Sequence, residues 1–283
     1  MAEAPPIVLT VAGFDPSSGA GVTADIKTIA AHGCYGVACI TALTVQSTVG
    51  VSKVQTVDPE TVTDTLGELT RDLEIAAVKI GMLGSAKAVK AIVEFLGKET
   101  VPNVVLDPIL KSSSGVRLVD AAGARLMIER LMPLASIVTP NVDEATALTG
   151  LAVTNPEQMK EAAAKLHAMG AQNVVITGGH LGKAIDLLSF TNSRGVLEHE
   201  LFKAERQRSN STHGTGCAFS TAMACHLALG RGLPEAVLLA KAYVTAAIVN
   251  AQPLGRGTGP LHLLYRMHEA PRRAGAGDPD PVN

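Results

Sequence analysis

The order of short apolar runs along this chain restricts its fold more than any other feature. Residues 7–12 (IVLTVA), 37–45 (VACITALTV), 76–81 (AAVKIG), 103–107 (NVVLD), 136–139 (SIVT) and 173–177 (NVVIT) each read as a buried β-strand. Helical stretches separate them at 23–32, 59–73, 85–99, 120–132 and 156–169. Asp58 followed by Pro59 marks one helix start, and Asn155-Pro156-Glu157-Gln158 resembles a capping box at another. Strands that alternate with helices through short connections pair in parallel, with helices on both faces and sites at the carboxyl ends of strands. The expected class is α/β, three layers (α/β/α) around a mostly parallel central sheet. After residue 183 the pattern changes. Residues 184–190 (AIDLLSF) and 196–204 (VLEHELFKA) read as two antiparallel strands around Asn192-Ser193-Arg194-Gly195, followed by alanine-rich helices near 215–229 and 234–251. No linker or repeat interrupts this order, so residues 1–270 read as one domain and 271–283 (PRRAGAGDPDPVN) as a mobile tail.

Composition narrows the function. The chain has 24 basic and 26 acidic residues and a net charge of −2, which leaves no electrostatic footprint for nucleic acid or an anionic membrane. It has five Phe, three Tyr and no Trp, so stacking platforms for bases are few and the core must be aliphatic. Apolar stretches are broken by Lys, His, Asn or Gly before they reach membrane-spanning length. The four cysteines, Cys34, Cys39, Cys217 and Cys225, have no C-x-x-C spacing, and the histidines do not join them at zinc spacing. Residues 1–6 carry an acid and two prolines but no basic run, so no signal peptide is expected and a cytoplasmic location is.

Three turns could carry chemistry. Gly19-Ala20-Gly21-Val22-Thr23-Ala24 formally matches a dinucleotide fingerprint, but that motif needs an acid about twenty residues on. No Asp or Glu occurs between Asp25 and Asp58, and no glycine-rich turn ends in Gly-Lys-Ser/Thr, which also excludes a P-loop. The segment from Gly13 to Gly21 reads either as a tight turn or as a substrate-binding loop; two close glycines with Asp15 favour the loop. The second turn, Thr212-His213-Gly214-Thr215-Gly216-Cys217, opens a helix. Backbone N–H groups there can hold an anion, and a first-turn cysteine is expected to have a depressed pKa. An anion cradle beside a base suits phosphoryl transfer to an alcohol. A glycine cap with a small buried cysteine fits the motif equally well. In the third cluster, Asp107-Pro108 ends one strand and Thr139-Pro140-Asn141 with Glu144 follows the next. Oxygen ligands there suit Mg²⁺, whereas Asn141 and Glu144 also fit ordinary helix capping.

Taken together, these turns resemble the ribokinase-like superfamily, and within it the hydroxymethylpyrimidine/phosphomethylpyrimidine kinases of thiamine biosynthesis. The resemblance spans about residues 7–265. Its further segments are Ala24-Asp25-Ile26-Lys27-Thr28, Ile40-Thr41-Ala42-Leu43-Thr44-Val45-Gln46-Ser47-Thr48, Lys79-Ile80-Gly81-Met82-Leu83 and Gly178-Gly179-His180. It implies a ribokinase-like kinase domain using ATP and Mg²⁺. By position, Gln46 would hydrogen-bond an aminopyrimidine edge, since an amide offers an acceptor beside a donor. Met82 would pack on the ring, Asp25 would lie near the substrate's polar edge, and the Gly13 turn would line the pocket. The N–H groups of Gly214, Thr215 and Gly216 would form the anion hole, with Cys217 in the place of the catalytic base. Asn141 and Glu144 would organise Mg²⁺, chiefly through water, and Asp107 would assist with the nucleotide. Three positions depart from the family's pattern. Phe14 replaces a small hydroxyl residue, Thr177 replaces a Lys, and Lys111 stands two positions early, where it is expected to compensate in gripping phosphate.

The activity so implied is phosphorylation of 4-amino-5-hydroxymethyl-2-methylpyrimidine and then of its monophosphate, by a protein expected to be a homodimer. The rivals are a pyridoxal or pyridoxine kinase and a catalytically degenerate pyrimidine-binding regulator. Gln46 favours the aminopyrimidine. His180 and His213 flank the expected site, His213 as a helix-entry residue without a chemical role. Cys34, Cys39 and Cys225 are expected in the core, and Lys241 on a solvated helix face.

Overall fold

The structure, a computed structural model, describes residues 4–112, 114–179, 184–207 and 209–268. The tail 271–283 and His180 therefore lie outside the described residues. Nine strands form one sheet: β1 (Ile7–Phe14), β2 (Tyr35–Ser47), β3 (Gly50–Thr56), β4 (Ile75–Ile80), β5 (Val104–Leu106), β6 (Ile137–Val138), β7 (Val174–Ile176), β8 (Ala184–Thr191) and β9 (Leu197–Ala204). Their order is β3-β2-β1-β4-β5-β6-β7-β8-β9. Pairing is parallel from β2 through β7 and antiparallel at β2–β3, β7–β8 and β8–β9. The mostly parallel sheet and the 184–204 hairpin are as the sequence implies.

Alternating strand residues feed two cores. Leu9, Val11, Val78, Ile80, Val104, Leu106, Val138, Val174 and Ile176 face α2 (Pro59–Asp72), α3 (Ala86–Lys98), α5 (Val142–Thr149) and α6 (Pro156–Ala168). Val8, Ala77, Val105, Ile137, Val175 and Leu188 face α1 (Gly21–Ala31), α7 (Thr215–Ala228) and α8 (Leu233–Val249). The two-residue period of a strand thus produces three layers. The alanine-rich faces of α7 and α8 pack in this second core, with Ala222, Met223, Cys225, Ala240, Val244 and Ala247 buried. The core cysteines Cys34, Cys39 and Cys225 are buried free thiols, as expected.

Local signals held with instructive exceptions. The Asp58 side chain accepts from Glu60 N–H, and Asn155 accepts from Gln158 N–H. The Gln158 side chain turns outward to Thr154 rather than back to Asn155, so only half of the expected capping box forms. The helix expected over 120–132 stays α-helical only as α4 (Ala121–Leu126). It widens to a π-turn over Met127–Leu131 and tightens to 3-10 over Met132–Leu134, where Pro133 removes a backbone donor.

The topology also locates the site. From β1 the chain runs outward through β2 and β3, then returns to the other side of β1 as β4. At such a reversal the first crossovers leave on opposite faces of the sheet, and a crevice opens above the carboxyl ends of the two central strands.

Candidate active site

Three turns converge at that crevice. After β1, Asp15 organises its own loop. Its Oδ1 accepts from Ser17 N (2.8 Å) and Ser17 Oγ (2.7 Å), and its Oδ2 accepts from Ala20 N (2.9 Å). The Oδ2 atom also lies 2.8 Å from His213 Nε2, in the turn before α7. Burial works upward on the Asp15 carboxyl, but these hydrogen bonds hold it below the usual range. His213 therefore joins the first turn to the second across the chain and is more than a helix-entry residue. Its ring fills the space where a side chain at Gly19 would stand.

The second turn is built around Gly214, at φ +84°, where a Cβ would overlap the backbone carbonyl of Gly19. The two glycine turns are thus in direct backbone contact. Thr215 N bonds Thr212 O, and Ala218 N bonds Gly214 O. Between them the N–H groups of Gly216 and Cys217 stand at the positive end of a fourteen-residue helix. Of the expected anion-hole donors, Thr215 N–H is thus engaged within its own turn, while Gly216 N–H stands in the first turn of a helix, where an anion can be received.

Cys217 departs from its expected chemistry. A helix N-terminus should depress a thiol's pKa, yet burial pushes this one up to about 12. The charges of Asp107 and Asp25 add to that, while Lys79 and the Gly21 backbone act against it. Cys217 is a thiol at neutral pH.

Asp25 is corrected too. It has no exposed surface, and its carboxylate accepts from Lys79 Nζ (2.9 Å), Thr10 Oγ1 (2.6 Å) and Thr221 Oγ1 (2.8 Å). It lies beneath the site as the partner of a buried cation, not at a substrate edge. Burial disfavours the Lys79 ammonium, but Asp25 and Asp107 hold its pKa above the usual lysine range. Sequence reasoning missed Lys79, Ser220 and Thr221. The signal available was a lysine inside an apolar strand, and hydroxyls spaced three and four residues after Cys217 on one helix face.

The third turn carries the remaining carboxylates. Asp107, after β5, is buried, and its Oδ2 accepts from Ser220 Oγ (3.1 Å). That oxygen lies near the position a Cβ at Gly216 would take, which sets Asp107 beside the anion hole. Burial pushes Asp107 up to about 6, and Lys79 and Ser220 keep it from rising further. After the adjacent strand β6, Asn141 and Glu144 form a complete capping box. Asn141 Oδ1 accepts from Glu144 N (2.8 Å), and Glu144 Oε2 accepts from Asn141 N (3.0 Å). The half-buried Glu144 carboxyl is pushed up to about 8 by burial, with Asp107 and Asp143 adding to it.

Gln46 is half-buried near the end of β2, with Oε1 3.2 Å from Thr44 Oγ1 and Nε2 3.2 Å from His213 Nε2. Gly13 and Met82 are buried together, and a Cβ at Gly13 would press on the Met82 sulfur. Thr41 Oγ1 fixes the Met82 carbonyl (2.5 Å). Lys111 is exposed in a loop bridged to Arg117. Lys241, expected in solvent, is buried and donates to Asp186 Oδ2 (2.7 Å), while Asp186 Oδ1 accepts from Gly178 N (2.9 Å). Through Asp186 it links α8 to β8 and to Gly178, just after β7.

A divalent cation has two carboxylates to meet here. Each keeps one oxygen, Asp107 Oδ1 and Glu144 Oε1, without a protein hydrogen bond among the described residues. The Asn141 amide oxygen is engaged as a helix cap. No group of three or more His, Cys, Asp or Glu forms a cage among the described residues. That donor set fits Mg²⁺, which takes one or two carboxylates, keeps waters and binds nucleotide phosphates.

Residues 15–262 match the model of a family described as phosphomethylpyrimidine kinase. A thiamine biosynthesis bifunctional protein of Geobacter sulfurreducens is 46% identical over 260 residues, which cover 91% of this chain and 52% of that protein; the chain spans about half of that relative's length. A crystal structure of phosphomethylpyrimidine kinase from Clostridium difficile is similar at 38% identity and a TM-score of 0.76, covering 86% of this chain and 99% of that one. An ADP complex of Bacillus subtilis pyridoxal kinase is similar at 34% identity and a TM-score of 0.84, covering 93% and 100%.

Proposed function

Because the chain belongs to the phosphomethylpyrimidine kinase family, we propose that it transfers phosphate from ATP to the hydroxymethyl group of 4-amino-5-hydroxymethyl-2-methylpyrimidine. It then phosphorylates the resulting monophosphate to the diphosphate, within thiamine biosynthesis. The observation that carries this reading is the contact of two glycine turns: the first holds His213 through Asp15, and the second sets His213 beside Gln46 and opens α7 with its N-terminal N–H groups.

Transfer needs positioning and charge stabilisation more than a strong base. Gln46, Met82 and Gly13 hold the ring, and the alcohol points toward α7. The first-turn N–H groups of α7, those of Gly216 and Cys217, would meet the transferring phosphoryl oxygens, since Thr215 N–H is turned to Thr212 O. Cys217, a thiol, orients the alcohol rather than taking its proton. Asp107 and Glu144 would hold Mg²⁺ with Asn141 steadying Glu144; the metal would neutralise charge on the nucleotide. The exposed Lys111 is free to reach a phosphate from its loop.

The ADP-bound relative supports ATP as donor. One sheet running from β1 to β9 supports reading residues 1–270 as a single domain. The four free thiols suit a reducing compartment, in keeping with the cytoplasm. The homodimer reading rests on an outer stripe of α8, where Leu238, Ala242 and Val249 are exposed along one face. Among the described residues no helix is long and apolar enough to cross a membrane.

The test is a panel of Mg²⁺-ATP assays with the pyrimidine alcohol, its monophosphate and pyridoxal. Transfer to both pyrimidines is expected. Transfer to pyridoxal alone would favour the related kinase activity, and binding without transfer would favour a regulator. Lys111→Ala is expected to raise KM for the monophosphate more than for the alcohol.

A further inference from the structure

The Asp15 carboxylate accepts three hydrogen bonds from its own loop and a fourth from His213 Nε2. An ionised carboxylate can only accept, so the proton in the 2.8 Å contact belongs to His213 Nε2, whatever the state of Nδ1. Gln46 Nε2 lies 3.2 Å from that same nitrogen, and Gln46 Oε1 lies 3.2 Å from Thr44 Oγ1. Two donors cannot satisfy each other. The two ends of an amide exchange by a half-turn, and the network decides which end goes where. At the other end, the single Thr44 hydroxyl proton has a shorter acceptor in Phe14 O, at 2.9 Å. Thr44 Oγ1 is therefore free to accept an N–H from Gln46.

We infer that His213 is a specificity-determining positioning residue: with its Nε2 proton fixed by Asp15, it locks the Gln46 amide with oxygen toward His213 and nitrogen toward Thr44. One lone pair and one N–H of the locked amide remain for a ligand, in a fixed order. A ring presenting an exocyclic amine on the His213 side and a bare ring nitrogen on the Thr44 side matches both. A ring with an oxo group in place of the amine sets acceptor against acceptor. A freely turning amide would accommodate either ring; the lock removes that tolerance. The inference rests on the pyrimidine-kinase reading above and adds to it the residue that enforces amine selection.

Two measurements test it. Long-range ¹H–¹⁵N correlation on the full chain reads the His213 ring directly. The expected result is a protonated Nε2, and a bare Nε2 with the proton on Nδ1 overturns the inference. Steady-state kinetics then compares the aminopyrimidine alcohol with its 4-oxo counterpart. Wild type is expected to prefer the amine. His213→Phe keeps a ring between Gly19 and Pro260 and should reduce the ratio of the two kcat/KM values about tenfold or more. Thr44→Val removes the other end of the lock and should reduce the same ratio; it also serves if the Phe variant fails to fold. An unchanged ratio in a folded variant overturns the inference. If wild type phosphorylates neither pyrimidine, the kinase reading fails instead, and the ring spectrum still reports on the lock.

Discussion

Lys79 Nζ lies 2.9 Å from Asp25 Oδ2, and neither side chain has any surface exposed to solvent. The lysine enters from β4 and the aspartate from α1, so the pair ties a helix to the sheet directly beneath Cys217 and Asp107. Breaking such a pair from one side leaves an uncompensated buried charge. Lys79→Met is expected to destabilise the fold by about 3 kcal/mol or more, and Lys79→Met with Asp25→Asn by less. Thermal unfolding of both variants checks this; a double variant no more stable than the single would contradict it.

Cys217 is expected to alkylate slowly with iodoacetamide at neutral pH and to speed up only in strongly alkaline solution, because its pKa is pushed up to about 12. Cys217→Ser keeps a hydrogen-bonding group and should retain most turnover. Cys217→Ala should reduce kcat by about 10²-fold, the scale of a misplaced reacting group. Near-normal turnover in the alanine variant would remove Cys217 from the mechanism.

Asp107 and Glu144 bind protons more tightly in the folded chain than free carboxyls do. The stability they contribute is fully present below their ordinary values and is lost as pH rises through about 6 for Asp107 and about 8 for Glu144. Without divalent cation, the melting temperature should therefore fall from acid toward slightly alkaline pH. Added Mg²⁺ favours the ionised carboxylates and should stabilise more at the alkaline end. Glu144→Gln should flatten the upper part of the profile and raise the Mg²⁺ requirement for turnover. A cation-free profile that rises over this range would refute the assignment.

Gly214→Ala places a Cβ against the Gly19 carbonyl at a positive φ. Backbone strain alone costs ~2 kcal/mol. The variant should lose both stability and transfer, whereas Gly216→Ala, whose nearest neighbour at that position is an Asp107 oxygen 3.9 Å away, should be milder in stability and still impair phosphate binding.

Legibility in the sequence followed the range of the interaction. Gly21 and Gly214 mark their turns because the local backbone runs at positive φ there, whereas Gly13 and Gly19 make room for the distant Met82 and His213. The capping pair Asn141 and Glu144 was readable from a spacing of three. The edge strand β3 was not, because GVSKVQT is mostly exposed and carries no apolar alternation. Nor were the partners of buried charge. Lys241 looks solvated until Asp186 is brought to it from β8, and Lys79 looks like an interruption until Asp25 arrives from α1. His213 meets an aspartate 198 residues away, a separation at which no local pattern speaks. The Cys217 misreading had another cause: the helix terminus was visible in the sequence, but the depth of burial that outweighs it was not.

The contact between Gly19 and Gly214 also bears on how binding energy is spent. On the proposed function, the loop that would grip the ring and the loop that would face the phosphate are coupled, since backbone meets backbone between them. Force exerted by the ring on one wall is delivered to the other. A bare alcohol stripped of its ring would then lose turnover and not merely affinity, as happens when remote contacts are used to align the reacting atoms. On that reading, the grip on the heterocycle would be part of the machinery for moving the phosphoryl group.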